Sequence, residues 1–107
     1  MSFQFIHFEV IDSVGKLSLN RPDVLNSFHR PMALETQEAL DICKNNKEIR
    51  AIYLTGEGRA FCAGQDLEEA IAPESDIAEI VQNSYNPIIK RIREIEKPVL
   101  CAVNGVA

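Results

Sequence analysis

The stretch Gly58-Arg59-Ala60-Phe61-Cys62-Ala63-Gly64-Gln65-Asp66-Leu67 has the residue types and spacing best suited to chemistry. An apolar run leads into it and a helix-compatible segment follows. Small residues at Ala63 and Gly64 let a ligand approach the backbone closely. The amide N–H groups around Gln65 then sit at a helix N-terminus, where partial positive charge gathers. A backbone donor for a developing oxyanion is built in this way. The same residues also suit a glycine-rich turn that only packs, and the segment alone leaves both readings open. Its first residues imitate a dinucleotide fingerprint, but Phe61 stands where a third glycine belongs.

Other chemistry finds less support. His7 falls within a strand pattern and His29 at a loop-to-helix junction, and both read as structural. No Ser-His-Asp set has meaningful spacing. No His, Cys or Asp pair has metal-ligand spacing, so no metal is expected. Cys62 is a tempting nucleophile, but neither histidine is a plausible partner, and it reads as packing. The three cysteines, Cys43, Cys62 and Cys101, are widely spaced and odd in number. They read as reduced thiols of a cytoplasmic protein.

The elements that must position this loop are legible in the pattern. Phe5–Ile11 and Val14–Leu19 read as a hairpin turning at Asp12-Ser13. Asn20-Arg21-Pro22-Asp23 opens a loop that runs to about Arg30. Pro31 begins a helix to about Asn45, with Leu34, Gln37, Leu40 and Cys43 along one stripe. Ala51–Thr55 is a short strand, and Asp66–Ala70 suits a helical turn. Asp66–Glu79 holds six acids and no base, and reads as a solvated, mobile segment. A helix from Asp76 to about Ile95 should break or kink at Pro87. The apolar run Val99–Val103 reads as a buried parallel strand. The strand-helix-strand part needs a crossover, expected to be right-handed.

Size and charge bound the partners. The 107 residues make one domain at most, with 46% hydrophobic and 25% charged residues, an ordinary globular balance. The formal charge of −5 disfavours nucleic acid. No apolar run is long enough to span a bilayer and no signal peptide is visible. A domain ending just past Val103 leaves a sheet edge and an apolar face uncovered, so the unit reads as unfinished.

Three blocks now carry a resemblance. They are Leu17-Ser18-Leu19-Asn20-Arg21-Pro22 with Leu25-Asn26-Ser27, the Gly58–Leu67 segment, and Lys97-Pro98-Val99-Leu100-Cys101-Ala102-Val103-Asn104-Gly105-Val106-Ala107. In this order and spacing they resemble the N-terminal part of the enoyl-CoA hydratase/isomerase (crotonase) superfamily, over almost the whole chain. The Phe61–Leu67 wording, Tyr85-Asn86-Pro87 and the final residues resemble most the 1,2-epoxyphenylacetyl-CoA isomerase branch.

The resemblance implies an α/β fold, a crotonase-like spiral of ββα units, of which residues 1–107 are an incomplete core domain. It implies trimers or hexamers and an acyl-CoA thioester as partner, with coenzyme A part of the substrate and no separate cofactor. It assigns the Gln65 backbone N–H to the thioester oxygen, in an oxyanion hole. One such donor is worth ~3 kcal/mol of barrier. It places Ala63, Gly64, Asp66 and Leu67 along the adenine and pantetheine path, and Leu25, Asn26 and Ser27 in the coenzyme A pocket.

Departures narrow what is implied. Many members carry a basic residue just before the Leu-Asn pair, near the phosphates; here Asp23 and Val24 stand there. Arg21 is either a substitute or a loop-stabilising side chain. The family's second oxyanion donor and its acid/base carboxylates lie beyond Ala107. The expected function is therefore half a site: the N-terminal portion of an enoyl-CoA hydratase or isomerase of phenylacetate catabolism. The alternatives are an inactive truncated coenzyme A-binding fragment, an interaction module, or another chemistry on the same fold.

Overall fold

In the computed structural model, described over residues 2–107, a four-stranded sheet packs against helices. The hairpin strands β1 (Ile6–Ile11) and β2 (Val14–Leu19) pair antiparallel, Ile6 opposite Leu19 and Ile11 opposite Val14. Asp12 and Ser13 both have positive φ, the geometry of a tight two-residue hairpin turn. Helix α1 (Arg30–Asn45) then carries the chain back, so β3 (Ala51–Gly56) lies parallel to β2. A second excursion through α2 (Leu67–Ala70), α3 (Ile77–Ile80) and α4 (Asn86–Glu94) ends in β4 (Val99–Cys101), parallel to β3. The sheet order is β1-β2-β3-β4.

Alternation along the strands turns Ile6, Leu17, Leu19 and Ile52 into a core shared with Met32, Ala33, Ala39, Leu40 and Cys43 of α1 and Ile88 of α4. The buried stripe of α1 is shifted from the expected one. Leu34 is 47% exposed, whereas Met32, Ala33, Thr36 and Ala39 are buried. The small residues win that face because they let α1 lie close to the sheet. Lys97 closes the far end of α1. Its ammonium reaches the Cys43 carbonyl and, at 3.0 Å, that of Asn46, two carbonyls at the helix end.

Two expectations about the second half are corrected. The helix anticipated from Asp76 is interrupted by a π-helical stretch, Val81–Tyr85. Pro87 has no N–H to donate to the carbonyl of Asn83, four residues before it. That carbonyl instead accepts from Gln37 Nε2 at 3.0 Å. Of the expected run Val99–Val103, only Val99–Cys101 form a strand, parallel to β3 as anticipated. Here β4 pairs only with β3, and Leu100 is 56% exposed.

The acidic segment is also more structured than its composition implied. Asp66 and Asp76 cap α2 and α3, Glu79 pairs with Arg30, and Glu69 Oε2 accepts the Arg30 backbone N–H at 2.6 Å. No helix among the described residues is long and apolar enough to cross a membrane.

Candidate functional site

Two loops meet beside the C-terminal end of the β2–β3 pair. The first runs from Asn20 through a short 3-10 turn, Pro22–Val24, to Phe28. The second is the glycine-rich stretch after β3. Asn26 locks them together. It is 0% exposed, and its Nδ2 donates to the carbonyls of Glu57 and Ala60 at 2.9 Å each. Its Oδ1 accepts the Arg21 N–H at 2.7 Å. The left-handed backbone at Asn26, φ 56°, is one that asparagine tolerates. Asn104 grips the same turn from the other side, with Nδ2 on the Gly58 and Ala60 carbonyls at 3.1 and 3.2 Å. The turn is too tight for a side chain at Gly56, where a Cβ would lie 2.6 Å from the Ala60 carbonyl oxygen.

Further along, the loops pair as a one-residue parallel bridge between Phe28 and Gln65. Phe28 N–H donates to Gly64 O and Asp66 N–H to Phe28 O, both at 2.8 Å, and Ala63 N–H donates to Leu25 O at 3.0 Å. A parallel bridge of this kind uses the groups of Gly64 and Asp66. The N–H of Gln65 therefore faces away from Phe28, and among the described residues it has no backbone acceptor. Helix α2 starts only at Leu67, with Asp66 as its cap, and is four residues long. The sequence placed Gln65 at a helix N-terminus. Gln65 is the residue just before the α2 cap, beside the helix start as the sequence suggested, and the bridge sets the direction of its N–H.

Beside these loops lies a cleft of about 540 Å³, walled by Arg21, Val24, Ser27, Gln65, Leu67 and Glu68, among others. Between the cleft-lining Ala63 and Gln65, Gly64 has φ 124°, and a Cβ there would meet nothing within 4 Å. The space is open, so a Gly64→Ala chain should suffer from backbone conformation alone. We expect a loss of about 1–3 kcal/mol by denaturant melting, without a packing defect elsewhere. A stability equal to the parent's would contradict this.

The cation at the cleft is committed. Arg21 Nη1 donates to Ser27 O at 2.7 Å and Nη2 to Asp66 Oδ2 at 3.1 Å, with the two side chains 15% and 14% exposed. Burial pushes the Asp66 carboxyl up, but the Arg21 hydrogen bond and the Glu69 and Glu68 N–H groups outweigh it, and the acid lies below its ordinary range. Of the two roles open to Arg21, loop fastening is the one the geometry supports. Arg21 is the cation that lines this wall among the described residues.

On the other side of the same loop is an apolar cavity of about 180 Å³, lined by Phe28, Phe61, Cys62, Leu54, Ile88 and Ile92 among others. Burial raises the Cys62 thiol, opposite to what a nucleophile needs. Tyr85 stands edge-on to Phe28, and burial pushes its hydroxyl up to about 12.

His29 is the N-cap of α1. Its Nδ1 accepts the Met32 N–H at 3.3 Å, and its ring lies edge-on to Phe5 at 4.5 Å. Burial, helped by the Arg21 charge, lowers its pKa from 6.5. The unfolded chain thus binds the proton first. The cap's contribution is full above pH 6.5 and is lost as pH falls from there toward the lowered folded value. Melting temperature should drop with acid across that window, and a His29→Asn chain, which keeps a cap, should flatten the dependence. An identical slope in both chains would refute the assignment. His7 is exposed on β1. Among the described residues no group of three His, Cys, Asp or Glu side chains is arranged for a metal ion.

Sequence reasoning placed Leu25, Asn26, Ser27, Ala63, Gly64, Gln65, Asp66 and Leu67 near one another, and the structure gathers them in these two loops. It did not anticipate the Arg21–Asp66 pair or the clamp by Asn26 and Asn104. The one available signal was an asparagine in each of two otherwise apolar loop blocks.

The fold is the crotonase-like α/β fold. Superposition on a putative enoyl-CoA hydratase/isomerase from Acinetobacter baumannii gives a TM-score of 0.88 at 26% identity, over 100% of this chain and 44% of that one. The enoyl-CoA hydratase/isomerase family pattern matches residues 9–107, and the chain belongs to that family. It is 44% identical to the 1,2-epoxyphenylacetyl-CoA isomerase of Escherichia coli K12 over 97% of its own length. It is 38% identical over 100% of its length to a probable enoyl-CoA hydratase of Rhodobacter capsulatus. It spans 41% of each of those two relatives.

Proposed function

We propose that this chain binds an acyl-CoA thioester, with its carbonyl oxygen accepting the Gln65 N–H. The observation that carries the reading is that N–H itself: it faces away from the bridge that occupies its neighbours, beside an open Gly64. Coenzyme A, part of the substrate rather than a separate cofactor, runs through the cleft along Leu25–Ser27 and Ala63–Leu67. Because the N–H groups of Ala63 and Asp66 are engaged, contacts there come from carbonyls and side chains. Similarity to the Escherichia coli isomerase supports an acyl group bearing a ring and, for the whole protein, double-bond or ring isomerisation; a cytoplasmic homotrimer or hexamer belongs to the same proposal.

A second reading, binding without catalysis, rests on the carboxylates. Asp66 is held by Arg21 and by the start of α2, and Glu69 holds the Arg30 N–H. Both readings share the binding step. Titrating crotonyl-CoA into 15N-labelled chain should move the Gly64, Gln65 and Leu67 amides first. Shifts confined to other loops would remove the proposal.

A further inference from the structure

We propose that Arg21 is the positioning residue that aims the Gln65 N–H. This deepens the reading above and rests on it for its functional meaning.

Three contacts carry it. The Arg21 backbone N–H is held by Asn26, its Nη1 by the Ser27 carbonyl and its Nη2 by the Asp66 carboxylate. Ser27 immediately precedes Phe28, and Asp66 immediately follows Gln65. The guanidinium thus ties together the residues that flank the two halves of the bridge. The bridge has only one residue pair, with two hydrogen bonds, Phe28 N–H to Gly64 O and Asp66 N–H to Phe28 O. An isolated pair of that kind is weak, and the backbone on both sides departs from strand geometry: Leu25 and Asn26 are left-handed and Gly64 has φ 124°. The Gln65 N–H shares its peptide plane with the Gly64 carbonyl, so the Phe28 N–H on that carbonyl sets its direction. Arg21 keeps that weak bridge closed by holding the Ser27 carbonyl on one side of it and the Asp66 carboxylate on the other. Hydrogen bonds to a charged partner that is largely shielded from water are strong enough for this role. Asp66 in turn caps α2 through Oδ1, so one carboxylate joins the donor loop, the helix after it and Arg21.

The test has a ligand-free arm and a ligand arm, both on the full chain. In the first, hydrogen exchange of Arg21→Met is read amide by amide. Protection at Phe28 and Asp66 should fall by about tenfold or more, while Leu17 and Ile52 in the sheet keep theirs. Unchanged protection at Phe28 and Asp66, or an equal loss across the sheet, overturns the proposal. In the second arm, crotonyl-CoA carrying 13C at the thioester carbonyl is bound to each chain at saturation. The parent should move that resonance downfield, the mark of a hydrogen bond to the oxygen. Arg21→Met should lose most of the displacement, and Arg21→Lys should restore part of it. A full displacement in Arg21→Met overturns the positioning role. Binding by the parent without any carbonyl displacement removes the functional reading instead, and the exchange arm still decides what Arg21 does.

Discussion

Crotonyl-CoA incubated with the purified 107-residue chain should keep its enoyl absorbance, with no hydration or double-bond isomerisation above background. Deprotonation next to a thioester, or addition of water across the adjacent double bond, requires a placed base and a pair of donors on the carbonyl oxygen. Gln65 offers one donor. Loss of the other costs about 10²–10³ in rate. Of the carboxylates near Gln65, Asp66 is held by Arg21 and the α2 cap, Glu69 accepts the Arg30 N–H through Oε2 while its buried Oε1 has no partner among the described residues, and Glu68 is an exposed acid on the cleft wall. A missing base removes about a further 10²–10⁴. Together these leave too little acceleration to measure. The same assay on a chain extended with the remaining portion of a relative should recover turnover. Activity in the short chain, free of contaminating enzyme, would defeat this account and direct attention to Asp66, Glu68 and Glu69 as bases.

Replacing Asn26 by Ala should be the most damaging single change in the site. Three hydrogen bonds vanish at a position with 0% exposure, leaving the Glu57 carbonyl and the Arg21 N–H without these partners and the Ala60 carbonyl with Asn104 alone. Each buried group left unpaired costs about 1–3 kcal/mol. Alanine must also hold the left-handed backbone that asparagine tolerates. Water entering the gap recovers a part, so we expect a net loss of about 3–5 kcal/mol, a large share of a small domain's ~5–15 kcal/mol. Denaturant melting should show an early transition or an unfolded chain. Asn26→Asp, which keeps the acceptor but loses both donations, should fall between. A transition within 1 kcal/mol of the parent, roughly the size of one ordinary hydrogen bond, would show that the clamp is redundant with Asn104.

The sequence was readable where one local cause dominates. Aromatic and β-branched residues mark β1, a short apolar run marks β3, and Asp12-Ser13 supplies the hairpin turn into β2. Pro31 at the start of α1 fits its fixed φ. The reading failed where distant partners decide. Leu34 and Gln37 have helical spacing for the core stripe, yet the approach of the sheet selects Met32, Ala33 and Thr36 instead. Gln37 is drawn to the carbonyls that Pro87 cannot use, which no periodicity reveals. The acids of Asp66–Glu79 resemble a solvated run because caps and ion pairs depend on N–H groups and on Arg30, far away in the chain. In the site, glycine spacing exposed the donor loop. The direction of the Gln65 N–H depends on Phe28, 37 residues earlier, so it could not be read locally.

The ammonium of Lys97 at the end of α1 bears on the order in which the chain becomes structured. It joins groups separated by 54 and 51 residues, half the chain. Closing so long a loop is entropically costly and pays back only once the intervening strand is in place. On a ribosome, α1 would emerge with its terminal carbonyls exposed to water, and the hairpin and β3 would assemble before the residue that fastens them has been synthesised. The three-residue β4 and the lysine before it are therefore expected to dock after α1, the hairpin and β3, and a Lys97→Met chain should unfold faster while folding at a nearly unchanged rate.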